Sequence, residues 1–259
     1  MGRLDGKVAI VTGAGQGVGR GIALALAKEG AVLSLPARTA SKVEAVQKEI
    51  EAFGGKAIAF GCDVGVKQQV KDAVKRTIDA YGTVDIVINN AQSILPAHSL
   101  IDYTDEEIDW VMKSGYWASL WFMQECYPYL KENQGCVINF ASAIGLTAVP
   151  GYLAYASTKE AVRAMSRIAA KEWGQYGIRV NVIAPGAESP SALSAFPELL
   201  KWSEESGVKA SFTPSAIHRM GRPEEDIGRV VAFLCSEEAS FLTGYTYCID
   251  GGACIDASR

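Results

Sequence analysis

Two kinds of apolar pattern alternate along the chain. Short unbroken apolar runs are followed by longer stretches whose apolar residues recur every three or four positions. Lys7–Thr12 (KVAIVT) is the first run and predicts a buried strand. Gly17–Gly30 follows with Val18, Ile22, Leu24, Leu26 and Ala27 at helical spacing. The same reading predicts strands over Ala31–Leu35, Lys56–Phe60, Val84–Asn89, Gly135–Phe140, Ile178–Ala184 and Tyr245–Ile249. It predicts helices over Ser41–Phe53, Val66–Tyr81, Thr104–Leu130, Leu153–Tyr176 and Pro223–Cys235. Ser41 and Glu44 have capping-box spacing, and Thr104-Asp105-Glu106-Glu107 is an acidic helix start. Strict β/α alternation implies a parallel sheet covered by helices on both faces. The expectation is a single doubly wound α/β domain over residues 1–259, with seven strands in the order 3-2-1-4-5-6-7. Ligands of such sheets bind beyond the carboxyl ends of the strands.

Composition narrows the function classes. The chain has 259 residues, 49% hydrophobic and 21% charged, which excludes a disordered chain. Its 25 Lys and Arg against 29 Asp and Glu give a net charge of −4. Neither nucleic acid nor an anionic membrane is an expected partner. The six cysteines form no CxxC, and no His stands near them at zinc spacing, so reduced thiols in a cytoplasmic protein without a metal are expected. No targeting segment is expected at the N-terminus, and no apolar run approaches the ~18 residues of a membrane span.

The informative residues follow strand ends. The first strand runs into Thr12-Gly13-Ala14-Gly15-Gln16-Gly17-Val18-Gly19 and then a helix. Gly13 permits a tight turn, Gly17 lets backbone reach a pyrophosphate, and Gly19 lets the helix pack close, with its N-terminus toward the anion. Cys62-Asp63-Val64 follows the third strand and Asn89-Asn90-Ala91 the fourth. Ser142 precedes Tyr155-Ala-Ser-Thr-Lys159. Asn181, Pro185-Gly186, Gly221-Arg222-Pro223, Thr243-Gly244 and Asp250-Gly251-Gly252 complete the series. In this order and on these elements, the chain resembles the short-chain dehydrogenases/reductases over essentially its whole length.

The resemblance implies a Rossmann-type fold, a nicotinamide dinucleotide and a role for each motif. Gly13, Gln16, Gly17, Val18 and Gly19 would surround the pyrophosphate. Asp63 and Val64 would meet the adenine, and Asn90 the central strands and the ribose. Pro185, Gly186 and Glu188 would form the nicotinamide wall. Tyr155 would be the acid–base, Lys159 would hold the ribose and tune the tyrosine, and Ser142 would stabilise the developing charge. Independently of the family, Tyr155 and Lys159 share one helical face, and a nearby ammonium favours a phenolate. Ser142 is placed to polarise a carbonyl oxygen. At the end of the second strand a carboxylate would select NAD(H), but that position reads Ala37. Arg38 follows, with Thr39, Ser41 and Lys42 as further donors, so the local chemistry favours NADP(H) over NAD(H). Gln16, where a second basic residue is often found, weighs the other way.

Three departures from the family pattern stand out. Gly115 replaces an Asn of the long helix, and a kink there would let a backbone carbonyl bind the water of a proton relay. Gln92 replaces the last Gly of NNAG. Pro190 replaces the Thr that would hold the carboxamide, with Ser189 or Ser191 as its substitute. The substrate candidates are Ile94, Leu95, Ala143, Ile144, Val149, Tyr152, Leu193, Phe196, Leu199, Trp202 and Phe212, with residues 187–215 as a lid. The stripe Trp110, Trp117, Trp121 and Phe122 reads as a subunit interface, since family members form dimers within tetramers. These features favour an oxidoreductase of bulky apolar ketones and secondary alcohols, hydroxysteroid-like substrates included. A 3-oxoacyl-thioester reductase is the alternative within the enzyme class. A nucleotide-binding regulator with vestigial catalysis is the alternative outside it.

Overall fold

The computed structural model describes residues 2–209 and 215–255. In chain order its elements are β1 (Val8–Val11), α1 (Gly17–Lys28), β2 (Val32–Ala37), α2 (Ala40–Ala52), β3 (Lys56–Gly61), α3 (Lys67–Tyr81) and β4 (Ile86–Asn89). After these come α4 (Asp105–Met112), α5 (Ala118–Asn133), β5 (Cys136–Phe140), α6 (Ala143–Leu146), α7 (Leu153–Trp173) and β6 (Arg179–Pro185). The series ends with α8 (Pro190–Ser206), α9 (Arg229–Cys235) and β7 (Thr246–Ile249). The seven strands form one parallel sheet in the order β3-β2-β1-β4-β5-β6-β7. The expected topology is therefore observed.

The unbroken apolar runs are explained by burial on both faces. Val8–Val11 and Cys136–Phe140 are buried at every position. Ile22 and Leu26 of α1, Val43 of α2 and Val231 of α9 cover one face of the sheet. Val70 and Val74 of α3, Phe122 and Met123 of α5 and Ala169 of α7 cover the other. The glycine turn, Asp63, Asn90, Ser142 and Pro185-Gly186 follow the carboxyl ends of β1, β3, β4, β5 and β6.

Three local expectations are corrected. The second strand does not stop at Leu35 but continues through Pro36 to Ala37. Pro36 is tolerated because the β1 ladder pairs only as far as Ser34, so no partner needs a proline N–H. The Ser41–Glu44 capping box does not form, because α2 begins one residue earlier, after Thr39, without a side-chain cap. The box forms instead at Thr104–Glu107, where the hydroxyl accepts from Glu107 N and the carboxylate from Thr104 N. The long helix is broken between α4 and α5 by a single π turn, Lys113–Trp117, centred on Gly115.

Candidate active site

The glycine turn meets its neighbours at backbone distance. Gly17 has φ +54, a left-handed value that side chains disfavour, and a Cβ there would lie 3.0 Å from Ser189 Cβ. A Cβ on Gly19 would stand 2.4 Å from Asn90 Nδ2. Asn90 holds this turn, donating from Nδ2 to the carbonyls of Thr12 at 2.9 Å and Gly13 at 3.3 Å. Thr12 Oγ1 in turn accepts from Ala91 N at 3.0 Å. The turn and the ends of β1 and β4 are thereby one unit. Asp63 accepts from Gly65 N at 2.9 Å, which closes the loop after β3.

At the other end of the same edge, Ser142 caps the single turn α6, its hydroxyl accepting from Ile144 N at 3.2 Å. Tyr155 and Lys159 lie one turn apart on α7, and Lys159 Nζ stands 5.4 Å from the Tyr155 ring centroid. Burial raises the Tyr155 pKa above 10.0, opposed by a hydrogen bond with Ser142. Burial alone lowers that of Lys159 from 10.5 to about 7. In this geometry the amine lies over the Tyr155 ring and is itself desolvated. Lys159 makes no ion pair among the described residues.

A buried amine of this kind costs stability while it is protonated. The unfolded chain keeps the proton up to 10.5 and the folded chain only below about 7. Stability therefore rises with pH across that window, and the cost is complete below it. Lys159→Met in the cofactor-free protein should raise the unfolding temperature by several degrees near pH 6 and by much less near pH 10. Calorimetry at both values checks this, and an equal gain at both would remove the titration as its cause.

One cavity of about 1000 Å³ joins the two ends. Its wall holds Gly13, Gln16, Gly17, Val18, Gly19, Arg38, Thr39, Asp63, Val64, Asn90, Pro185 and Gly186, and also Ser142, Tyr155 and Lys159. The glycine turn, with no room for a Cβ at Gly19 and left-handed backbone at Gly17, suits an extended dinucleotide phosphate.

The comparisons with known proteins show the family. A family model described as enoyl-(acyl carrier protein) reductase matches residues 13–254. The chain is a short-chain dehydrogenase/reductase. It is 41% identical to a 12alpha-hydroxysteroid dehydrogenase from Clostridium sp., covering 97% of this chain and 98% of that one. It is 32% identical to a 3-oxoacyl-(acyl-carrier-protein) reductase from Thermotoga maritima, covering 98% and 100%. Among solved structures it resembles the 3-ketoacyl-(acyl-carrier-protein) reductase of Brucella melitensis complexed with NADH. There the TM-score is 0.85 and the identity 30%, over 97% of this chain and 99% of that one. The reaction class is thus oxidation and reduction between CH–OH and C=O.

Within this short-chain dehydrogenase/reductase, not every expected site residue reaches the cavity. Ile94, Ala143, Ile144, Leu193 and Phe196 line it. Tyr152 does not: it is 1% exposed and packs with Val149 and Leu199 in a satellite core that Trp202 covers from α8. Leu95 is also off the wall, and Phe212 and the side chain of Ser191 lie outside what the structure describes. Glu188 is exposed and absent from the wall, because its backbone is pinned by Glu188 N donating to Gly221 O at 2.9 Å. Pro190 takes up the first position of α8, and Ser189 caps that helix by accepting from Ala192 N at 3.1 Å. A Ser-Pro pair is a helix-start signal in its own right. Phe122 is fully buried in the chain's own core, whereas Trp110 and Trp117 are exposed and Trp117 stacks on Trp121 at 6.1 Å.

Sequence reasoning missed His218, Arg219 and Met220, which line the cavity from the segment after α8. No local pattern marks them, since only the return of the chain to the Gly186 turn puts them there. Lys42 was named only as a further donor. The structure makes it more: Lys42 Nζ donates to Gln16 Oε1 at 2.6 Å, so a cation stands where Gln16 alone offers none.

Proposed function

We propose that this short-chain dehydrogenase/reductase interconverts a bulky apolar ketone and its secondary alcohol with NADP(H). The observation that carries the substrate class is the cavity wall. Ile94, Ala143, Ile144, Leu193, Phe196 and Met220 give it an apolar lining beside Ser142 and Tyr155. Arg219, beside this apolar lining, is paired with Asp226 at 2.6 Å. The similarity to a 12alpha-hydroxysteroid dehydrogenase supports the same class.

Hydride transfer at the carbonyl carbon is the chemistry the dinucleotide supplies when bound. The protein's residues do the rest. Ser142 donates to the carbonyl oxygen and polarises it. The Tyr155 hydroxyl delivers a proton to the developing alkoxide, and takes it back in alcohol oxidation. Lys159 orients the ribose and supports the phenol. Asp63 and Val64 receive the adenine, and Arg38, Thr39 and Lys42 the 2′-phosphate. Within residues 187–215, of which 210–214 lie outside the described residues, α8 acts as a lid over the apolar end. Trp110 and Trp117 lie on the face that pairs subunits in a cytoplasmic homodimer or homotetramer.

A panel of ketones measured with NADPH tests the substrate class. The kcat/KM for polycyclic hydrophobic ketones should exceed that for 3-oxoacyl thioesters by at least about tenfold. The reverse order would favour the thioester reading, which the Thermotoga maritima and Brucella melitensis relatives motivate.

A further inference from the structure

Gly115 and Gln92, two of the departures from the family pattern, lie on different elements. Gly115 is in the π turn, and Gln92 follows β4. The fold brings them together. A Cβ on Gly115 would stand 2.3 Å from Gln92 Oε1 and 2.6 Å from Gln92 Nε2, with Thr158 Cγ2 at 2.4 Å. The space a side chain at 115 would occupy is therefore filled by the Gln92 carboxamide. That group is also tethered: Nε2 donates to the Val111 carbonyl at 3.4 Å. Ser114 Oγ donates to the same carbonyl at 3.0 Å and accepts from Ser93 N at 3.0 Å. A π turn lengthens the backbone hydrogen-bond step and leaves carbonyl capacity for side chains, and residues 92 and 114 use it here. Residues 92 and 93 thus hold the turn from the sheet side, while Thr158 of α7 closes on it from the helix side.

Lys159 is the next residue on α7, and Gln92, Ser114 and Lys159 share the cavity wall. The titratable group against its amine is Tyr155, 5.4 Å away at the ring centroid. No charged group of the elements packed on α7 contributes to the amine's shift, which burial alone produces.

We infer that the Gln92 carboxamide takes the place of the side chain that Gly115 lacks, as a positioning residue that holds the π turn against α7 and fixes the setting of Lys159. Gly115 and Gln92 are then a matched pair and not two lesions. The inference rests on the reading of Tyr155 and Lys159 as the acid–base pair.

The test is an exchange. Thr158→Ser removes the crowding methyl and keeps the hydroxyl that donates to Ala154 O at 2.7 Å, so it serves as the parent. In that parent, Gln92→Gly should lower kcat roughly tenfold with little change in KM, and Gly115→Asn by a similar factor. The two together should return to within about threefold of the parent. The pH profile of kcat should be displaced in Gln92→Gly and restored in the combined variant. Hydrogen exchange on the cofactor-free chain is a readout independent of activity. Amides of residues 113–118 should exchange faster in Gln92→Gly and regain protection in the combined variant. Losses that multiply on combination overturn the inference, and so does a Gln92→Gly variant with the parent's exchange and pH profile. If the combined variant does not fold, Gln92→Met decides. It fills the volume without the amide, so it should lose protection of the turn, and parental behaviour would overturn the inference. An active Tyr155→Phe would overturn the acid–base reading by itself and leave the hydrogen-exchange result standing.

Discussion

Tyr155→Phe should retain no more than about a thousandth of the wild-type kcat, a loss of ~4 kcal/mol of transition-state stabilisation. The dissociation constant of the dinucleotide should change less than about twofold, because the ring still packs on α7 and under Lys159. The phenol's pKa lies above 10.0 in the folded chain. It is therefore protonated through the neutral range, and ketone reduction should be sustained there and fall as pH climbs through that pKa. Alcohol oxidation needs the phenolate and should rise with pH over the same interval. Paired pH profiles of kcat in the two directions check the sign. A Phe variant that keeps a tenth of the activity would remove Tyr155 as the proton donor.

Cofactor choice should be reversible at two residues. Arg38 is exposed and makes no ion pair among the described residues, and Lys42 is turned toward the glycine loop by its bond to Gln16. Arg38→Asp combined with Lys42→Ala removes two charge-assisted contacts of about 1.5–3 kcal/mol each and adds a repulsive carboxylate. The ratio of kcat/KM for NADPH over that for NADH should fall by at least about a hundredfold. Steady-state kinetics with both nucleotides gives the ratio directly. A wild-type protein that already prefers NADH would contradict the assignment before any variant is made.

The parts legible in the sequence are those in which neighbours along the chain determine the outcome. Val8–Val11 and Cys136–Phe140 announce themselves as strands because a sheet buried on both faces needs unbroken apolar runs. Tyr155 and Lys159 announce themselves because one helical turn puts them on one face. Whatever depends on chains meeting from afar was not legible. Tyr152 and Phe122 look like surface aromatics of a site and an interface, yet they are enclosed by α8 and by the α3–α5 layer. Glu188 looks like part of a wall, but its bond to the Gly221 carbonyl places its side chain outward. Gln92 and Gly115 look like separate faults, because nothing in either segment reports that one fills the space the other leaves.

The contact between Gly17 and Ser189 has a consequence for engineering. The base of α8 rests on the nucleotide turn with no spare room, since a single added carbon at 17 would sit 3.0 Å from Ser189 Cβ and 3.4 Å from Pro190 Cδ. Substrate scope and nucleotide affinity therefore share a mechanical seam. Libraries that diversify positions 189 and 190 to widen the apolar end will disturb the glycine loop as well. Libraries confined to Leu193 and Phe196, farther along α8, will not meet that constraint. The latitude for retargeting this enzyme lies beyond the Ser189–Pro190 start of α8, at Leu193 and Phe196.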